Sequence, residues 1–189
     1  MPMKERAQAL DDARQLFHAH ADGILSTQSA DMPGYPFGSV MPFCLDRHGM
    51  PIIQGASIAQ HSRNMRHDPK VSLIVFDRAA ADLQTAGRLT VLADAAPLDD
   101  GDEATRERYF RYFPEARGYA ATHEFAFWRL VPRRFRYIGG FGVIHWYSPA
   151  DMLVDNPFAP DDEAGMVQHM NADHLSALRT YCAREAVPL

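Results

Sequence analysis

Cysteine is scarce in this chain, which has only Cys44 and Cys182 among its 189 residues. The pair has neither the spacing of a metal site nor the number needed for a disulfide framework, and it suits a reducing compartment. The chain also lacks any apolar run near the ~18 residues that a transmembrane helix needs. These absences exclude a disulfide-stapled module and a helical membrane protein, and we expect a soluble, cytoplasmic protein.

The N-terminus lacks the apolar core of a signal peptide. Residues 1–17 carry acids and arginines and predict an amphipathic helix, with Leu10, Ala13 and Phe17 on one side. A net charge of −5 gives no overall electrostatic reason to bind nucleic acid or an anionic membrane. We therefore expect neither partner.

An apolar fraction of 47% predicts a packed globular core, and β-type runs outnumber helical ones. The predicted strands are Gly23–Thr27, Phe37–Leu45, Met50–Gln54, Val71–Phe76, Arg88–Ala96, Phe125–Val131, Arg134–Ile138 and Val143–Trp146. Hairpin-length connections dominate, which favours a closed or nearly closed antiparallel barrel with peripheral helices. We expect a barrel domain over residues 1–147, a linker over 148–161 and a C-terminal helical segment over 162–189.

The segment between the third and fourth strands predicts a helix whose start can hold an anion. Ser57 and Gln60 have the spacing of a capping box, and Pro69 ends the helix. Free backbone N–H groups beside Ser57, Gln60, His61 and Arg63 form a plausible phosphate cradle. The alternatives are that Ser57 is only a helix cap and that His61 is structural.

Two later segments also suit a ligand. Paired glycines in Tyr137–Phe141 allow close approach to a flat ligand, on which Tyr137 and Phe141 can stack, although a structural bulge predicts the same glycines. Arg133, Arg134 and Arg136 predict a solvated turn between two strands, or a patch that binds phosphate or haem propionates.

The C-terminal segment contains two histidines within one predicted helix. His169 and His174 are five residues apart, which does not put both imidazoles on one helical face, so we expect no metal site from this pair. His169 can pair with Asp173, either as a haem ligand with its orienting carboxylate or as a surface pair. His174 lies on the apolar stripe of the helix.

Seven motifs in order carry a family resemblance. They are Pro36–Ser39, Ser57-x-x-x-His61-x-x-Asn64, Asp68–Leu73, Arg88–Thr90, Phe110–Pro114, Arg136–Gly142 and His169–His174. Together they resemble the pyridoxamine 5′-phosphate oxidase-like split barrels, and the later motifs resemble the haem-utilisation branch of that superfamily.

The resemblance implies a six-stranded antiparallel split β-barrel, FMN-binding in the oxidases, plus a C-terminal helix. It also implies a homodimer whose flat aromatic ligand lies at the interface. By position, its cofactor-binding residues are Ser39, Ser57, Gln60, His61, Arg63 and Arg88. The glycine-rich segment described above adds Tyr137, Gly139, Gly140 and Phe141 as candidates. Gln60-His61 stands where the oxidases have an Arg-Lys pair. In haem-degrading relatives a C-terminal histidine ligates the iron, which makes His169 and His174 the candidates here.

Three functions follow as expectations. The first is an FMN-dependent oxidoreductase related to pyridoxamine 5′-phosphate oxidase, in which the flavin supplies the redox chemistry. The second is a haem-binding or haem-degrading protein of haem utilisation. The third is a non-catalytic, ligand-binding regulatory scaffold. No residues are identified as catalytic.

Overall fold

A computed structural model of the chain describes residues 3–120, 124–140 and 142–184. The helices are α1 (Met3–Ala19), α2 (Gln60–His67), α3 (Glu103–Tyr112), α4 (Ala116–Ala120), α5 (Pro149–Met152), α6 (Pro160–Asp173) and α7 (Leu175–Arg184). The strands are β1 (Asp22–Gln28), β2 (Pro36–Pro42), β3 (Cys44–Leu45), β4 (Pro51–Ala56), β5 (Lys70–Phe76), β6 (Arg88–Pro97), β7 (Phe125–Ile138) and β8 (Ile144–Tyr147).

All strands join one curled antiparallel sheet in the order β2-β1-β5-β6-β7-β4-β3, with β8 paired to β7. This arrangement confirms the mainly β, split-barrel fold class. The described residues form eight strands rather than six. One reason is that the predicted strand Phe37–Leu45 is divided after Pro42, whose ring removes a ladder donor.

Strand β7 corrects one prediction, because the two strands expected around Pro132 are a single strand of 14 residues. A bulge accommodates the proline: Ala93 pairs with Pro132 and Leu92 with Arg134, so Arg133 is left over. The extra residue changes which side chains of the strand face the core. Even-numbered side chains are buried before the bulge, and the odd-numbered Phe135 and Tyr137 are buried after it.

The main core lies between α1 and the inner face of the sheet. Ala13 and Phe17 of α1 are buried in it, as the N-terminal pattern predicts, together with Ala9, whereas the predicted Leu10 is only partly buried against it. The Phe17 ring stacks on Phe43 with centroids 6.0 Å apart and meets Phe135 edge-on at 5.8 Å. Aromatic pairs of this kind add about 0.5–1.5 kcal/mol each beyond their buried area.

A second, smaller core lies on the other face of β4 and β7, under α3 and α4. It consists of Cys44, Ile52, Leu98, Tyr109, Ala116 and Phe127. Asp102 caps α3 by accepting a hydrogen bond from the Thr105 N–H at 3.2 Å. The Arg129 guanidinium joins Asp102 to the buried Asp46, at 2.9 Å in each case. Helices α3 and α4 thus cover the outer face along the first half of β7.

Asn64 fixes helix α2 to the sheet. Its fully buried amide donates to Thr27 Oγ1 at 2.8 Å and accepts from the Ala30 N–H at 2.9 Å. The Gln60 side-chain amide also donates to Asn64 Oδ1, at 2.9 Å. One amide therefore connects α2 with β1 and with the loop that follows β1.

The chain divides into two compact units, Met1–Val154 and Asp155–Leu189. Within the expected linker, α5 is a short helix with a complete capping box between Ser148 and Asp151. The expected single C-terminal helix is two helices, α6 and α7. No helix of the described residues is long and apolar enough to cross a membrane. The domain limits and the cytoplasmic location stay predictions.

We predict that Asn64→Leu lowers the free energy of unfolding by about 2–3 kcal/mol. The substitution removes the partner of the partly buried Ala30 N–H and the closer partner of Thr27 Oγ1, and an unsatisfied group costs about 1–3 kcal/mol. Urea denaturation followed by circular dichroism measures the change. Gln60→Leu is the control, because it removes only the partly exposed contacts of Gln60 with Asn64 and Arg63 and keeps both bonds that tie Asn64 to Thr27 and Ala30. Equal, small losses in the two variants would contradict this role of Asn64.

We also predict that only Cys182 of the two thiols reacts quickly in the native protein. Burial raises the pKa of Cys44 to about 12, and the thiolate is the reactive form. Cys182 is only partly buried. A thiol-specific chromogenic reagent at pH 8 should therefore modify one equivalent in wild type and none in Cys182→Ser. In denaturant, every thiol of both proteins should react. Two fast-reacting thiols in the native wild-type protein would contradict the burial of Cys44.

Candidate functional site

The predicted site residues fall into two groups, the first of which surrounds the start of α2. Ser39 lies on β2, a strand that packs against α2, and Ser57 lies in the turn before the helix. Gln60, His61 and Arg63 occupy the first turn of α2.

The expected capping box is wrong. Helix α2 begins at Gln60 after an extended Ala59, and no side chain caps it. The Ser57 N–H instead donates to the Glu124 carbonyl at 2.7 Å, which continues the pairing of β4 with β7. Arg66 donates to the Ser57 carbonyl at 3.0 Å. Ser57 is therefore held beside the sheet, three residues before the first residue of α2, and cannot cap the helix.

Arg63, the expected phosphate cation, is already paired. Its guanidinium donates to Asp31 Oδ2 at 2.6 Å and also contacts the Gln60 side-chain oxygen. The other end of the Gln60 amide donates to Asn64. The polar side chains of this turn thus satisfy one another, and the Asp31 carboxylate offsets the charge of Arg63.

His61 packs against Gly55 of β4. A Cβ atom on Gly55 would lie 2.8 Å from His61 Nε2 and 2.7 Å from Ser62 Oγ, so only glycine permits this approach of α2 to the sheet. Neither polar atom has a hydrogen-bond partner among the described residues. Burial lowers the pKa of His61, so its imidazole is neutral at neutral pH. A neutral imidazole offers a phosphate no charge-assisted hydrogen bond.

The second group lies at the other end of β6 and β7. Arg88 Nη1 donates to the Leu83, Gln84 and Ala86 carbonyls at 3.2–3.5 Å. Tyr137 is buried, and a Cβ atom on Gly139 would lie 2.9 Å from its ring. Its ring therefore packs on its own chain. Gly140 has a φ of 97° and lies in the turn of the hairpin between β7 and β8, where Ile138 pairs with Ile144, so these glycines serve a turn rather than the expected bulge. Phe141 lies outside the described residues.

The two groups are well separated within one chain. Thr27, beside α2, is level with Val71 and Ala93 on the neighbouring strands β5 and β6. Arg88 lies five residues from Ala93 along β6. At about 3.3 Å per residue, Arg88 is therefore about 17 Å along the strand from the level of α2. The structure therefore brings the α2 residues together, and separately Arg88, Tyr137, Gly139 and Gly140, but does not join the two groups.

A third cluster lies on the outer face of the sheet, where the second half of β7 is uncovered. We call it the arginine face; its members are Leu92, Arg134, Arg136, Ile144 and Trp146. Leu92, Ile144 and Trp146 are 38%, 50% and 40% exposed. The Arg136 guanidinium lies 5.1 Å from the centre of the Trp146 ring, which is a cation–π contact.

Two charges of the arginine face are not held in close ion pairs. Arg133 Nε, beside them, donates to Asp94 Oδ2 at 2.6 Å. Arg134 and Arg136, by contrast, form no ion pair within 4 Å in the described parts of the chain. Hydrogen bonds from Ser148 and, to a smaller extent, the charge of Arg134 nevertheless lower the pKa of the Asp151 carboxyl. Sequence reasoning gave Arg134 and Arg136 two positions, a solvated turn around Pro132 and a strand over Arg134–Ile138, and the structure places them in a strand. The signal for their true position is the Arg-x-Arg alternation once the strand is continued past Pro132.

In the second unit, the turn between α6 and α7 brings two imidazoles together. His169 Nε2 lies 3.1 Å from His174 Nε2, and His169 Nδ1 lies 2.8 Å from Asp173 Oδ2. The predicted separation of the two histidines was wrong, because it assumed one continuous helix. Helix α6 ends at Asp173, and His174 leaves the helical conformation with φ −123° and ψ 29°.

Known proteins resemble this chain along most of its length. The chain is 30% identical over 175 residues to the non-canonical haem oxygenase HOZ of Arabidopsis thaliana chloroplasts, covering 89% of this chain. It spans only about half (54%) of that relative. Haem oxygenase HutZ of Vibrio cholerae is 26% identical over 135 residues, which cover 68% of this chain and 76% of that protein.

A solved structure of a haem-binding protein from Mycobacterium smegmatis has a TM-score of 0.69 and 27% identity, covering 88% of this chain and 69% of that one. The family model described as CREG, beta-barrel, matches residues 4–152. These likenesses agree with the expected split-barrel superfamily and its haem-utilisation branch. The chain belongs to the CREG-like β-barrel family.

Proposed function

We propose that this protein binds haem, and that the arginine face is where the macrocycle rests. The observation that carries the proposal is the pair of arginines without carboxylate partners, Arg134 and Arg136, on an uncovered apolar surface. Haem combines a flat apolar ring with two carboxylates, so it needs this combination of contacts. The relatives named as haem oxygenases support the same choice.

The chemistry of the face fits haem in two ways. Arg134 and Arg136 are two residues apart on one side of β7, about 7 Å along the strand, and each can bind one propionate. Leu92, Ile144 and Trp146 offer apolar area beside them. The bulge at Arg133 keeps both guanidinium groups outside, because Phe135 and Tyr137 fill the core in their place.

As a separate proposal, which rests on the chemistry of the second unit alone, we name His169 as the candidate iron ligand. Its Nδ1 is held by Asp173, which presents Nε2, 3.1 Å from His174 Nε2, as the ligating atom, as carboxylates do for metal-binding histidines. His174 lacks such a partner on the described residues. Replacing His169 with alanine should shift and weaken the Soret band of the haem complex.

Flavin is the weaker proposal for the same protein. An FMN phosphate at the start of α2 would meet Arg63 already bound to Asp31 and His61 in its neutral form. Both features reduce the charge-assisted bonding that a phosphate dianion requires. We retain FMN as an outcome of the binding experiment below, which a flavin absorption doublet would reveal.

We further propose a homodimer that covers the outer face of the sheet. Val40 on β2 lies on this face, opposite Ile24, and is 67% exposed. An uncovered apolar sheet face of this kind favours a second copy, with the ligand at the interface. Sedimentation at micromolar protein concentration tests this proposal. A monomer in both the haem-free and the haem-loaded protein would contradict it.

We predict that Arg134→Ala and Arg136→Ala each weaken haemin binding about fivefold. Each removes one partly exposed ion pair, worth up to about 1 kcal/mol. The measurement is a titration of the apo-protein with haemin, followed at the Soret band. Arg133→Ala is the matched control, since Arg133 is adjacent but already paired with Asp94.

Equal affinities for wild type and both arginine variants would remove the face from the haem site. A saturable response to FMN but not to haemin would favour the flavin oxidoreductase. No response to either ligand would leave the regulatory scaffold. Arg63→Ala should leave haemin affinity unchanged and would weaken FMN binding only if flavin is the ligand.

We also predict that the haem complex is degraded when ascorbate and dioxygen are supplied with catalase present. Because the relatives are named as haem oxygenases, we expect the Soret band to decay faster than that of haemin bound to serum albumin. Catalase removes peroxide, which bleaches haem without an enzyme. A Soret band as stable as the albumin control would limit the function to haem binding.

A further inference from the structure

We infer that His169 and His174 form a chelating site for a divalent transition metal ion in the haem-free protein. Two imidazole nitrogens that face each other at 3.1 Å are close enough to share one ion. Imidazole is a preferred ligand of Zn²⁺, Ni²⁺ and Cu²⁺. The site is distinct in class from haem, because it takes a hydrated ion and no macrocycle.

The directions of the two rings favour a shared ion over a direct hydrogen bond. A head-on N–H···N bond, which prefers a linear geometry, would separate the ring centres by about 5.3 Å. The observed separation is 4.8 Å, with the ring planes at 80°. At least one ring axis is therefore tilted away from the line that joins the two nitrogens, as the rings of two ligands of one ion are.

The distances between the two rings match a shared metal. Each Nε2 atom is about 1.1 Å from its ring centre, so two rings tilted equally and to the same side at these separations would have axes that cross about 2 Å beyond each nitrogen, which is the Zn–N distance of about 2.0–2.1 Å. The angle at the crossing point is then roughly 100°, close to tetrahedral coordination. The turn at His174 thus sets the geometry of a two-histidine chelate.

Asp173 completes the arrangement without binding the ion. Its carboxylate accepts from His169 Nδ1 at 2.8 Å, which fixes the tautomer with Nε2 as the free donor atom. Metal-ligating histidines commonly have such a partner, and its loss costs about 10- to 100-fold in affinity. Both side chains of this pair are about 60% exposed, so an ion can enter from solvent.

The remaining coordination positions would be filled by water. No group of three metal-binding side chains occurs among the described residues, so the protein supplies two ligands. Such a site exchanges its ion readily and should hold it more weakly than a four-ligand structural site.

The test is a zinc titration of the haem-free protein against a chromophoric chelator at pH 7.5, in a Cys182→Ser background that removes the accessible thiol. We expect one Zn²⁺ per chain. His169→Ala and His174→Ala should each weaken binding at least tenfold, and Asp173→Asn about tenfold. His67→Ala, an exposed histidine on α2, is the matched control and should leave the affinity unchanged.

Equal zinc affinity in wild type and both histidine variants would overturn the site, and unchanged affinity in Asp173→Asn would overturn the orienting role. Circular dichroism checks that each variant is folded, as expected for exposed positions. If His169 also ligates haem iron, Zn²⁺ and haemin compete for Nε2. That competition rests on the proposed function, whereas the zinc titration does not, so the two can fail separately.

Discussion

The architecture depends on one long strand, β7, which must pair along its whole length although it contains a proline. Its first half pairs with β4 and its second half with β8, while β6 accompanies nearly all of it. A strand without a bulge would keep one phase, and the residues that now fill the core after Pro132 would point outward. The extra residue, Arg133, lets the strand pairing continue past Pro132, which has no N–H to donate. It also reverses which side chains of the strand face the core. Phe135 can then meet Phe17 of α1.

The same bulge decides what the outer face carries. Before it, the outer residues Phe127 and Arg129 are covered by α3 and engaged by Asp102. After it, Arg134 and Arg136 alternate with the core residues and stay at least partly exposed. A charged residue on an exposed strand is well solvated and needs no partner. The proposed ligand surface therefore rests on the presence of exposed Trp146 and Ile144 beside these arginines, and not on their charge alone.

Sequence reasoning predicted features set by local pattern and missed those set by long-range contacts. The apolar stripe of α1, the strands β1, β5 and β6 and the barrel class follow from periodicity and family resemblance. The cap at Ser57 failed because its N–H pairs with Glu124, 67 positions later in the chain. Arg63 was likewise expected to be available to a phosphate, but it binds Asp31 instead. The approach of Asp31 depends on how the loop after β1 folds over α2. Neither partner is visible in a local window.

The break between α6 and α7 shows that some of the missed geometry does have a local signal. Asn171, Asp173 and His174 are all weak helix formers, and a carboxylate at a helix C-terminus opposes the dipole. At the start of a following helix the same carboxylate is favourable, so Asp173 marks a boundary on both counts. Once the helix is interrupted there, five residues no longer mean opposite faces, and the turn can bring the two imidazoles together. Asp173 therefore acts twice, because the residue that favours the break also orients the His169 ring.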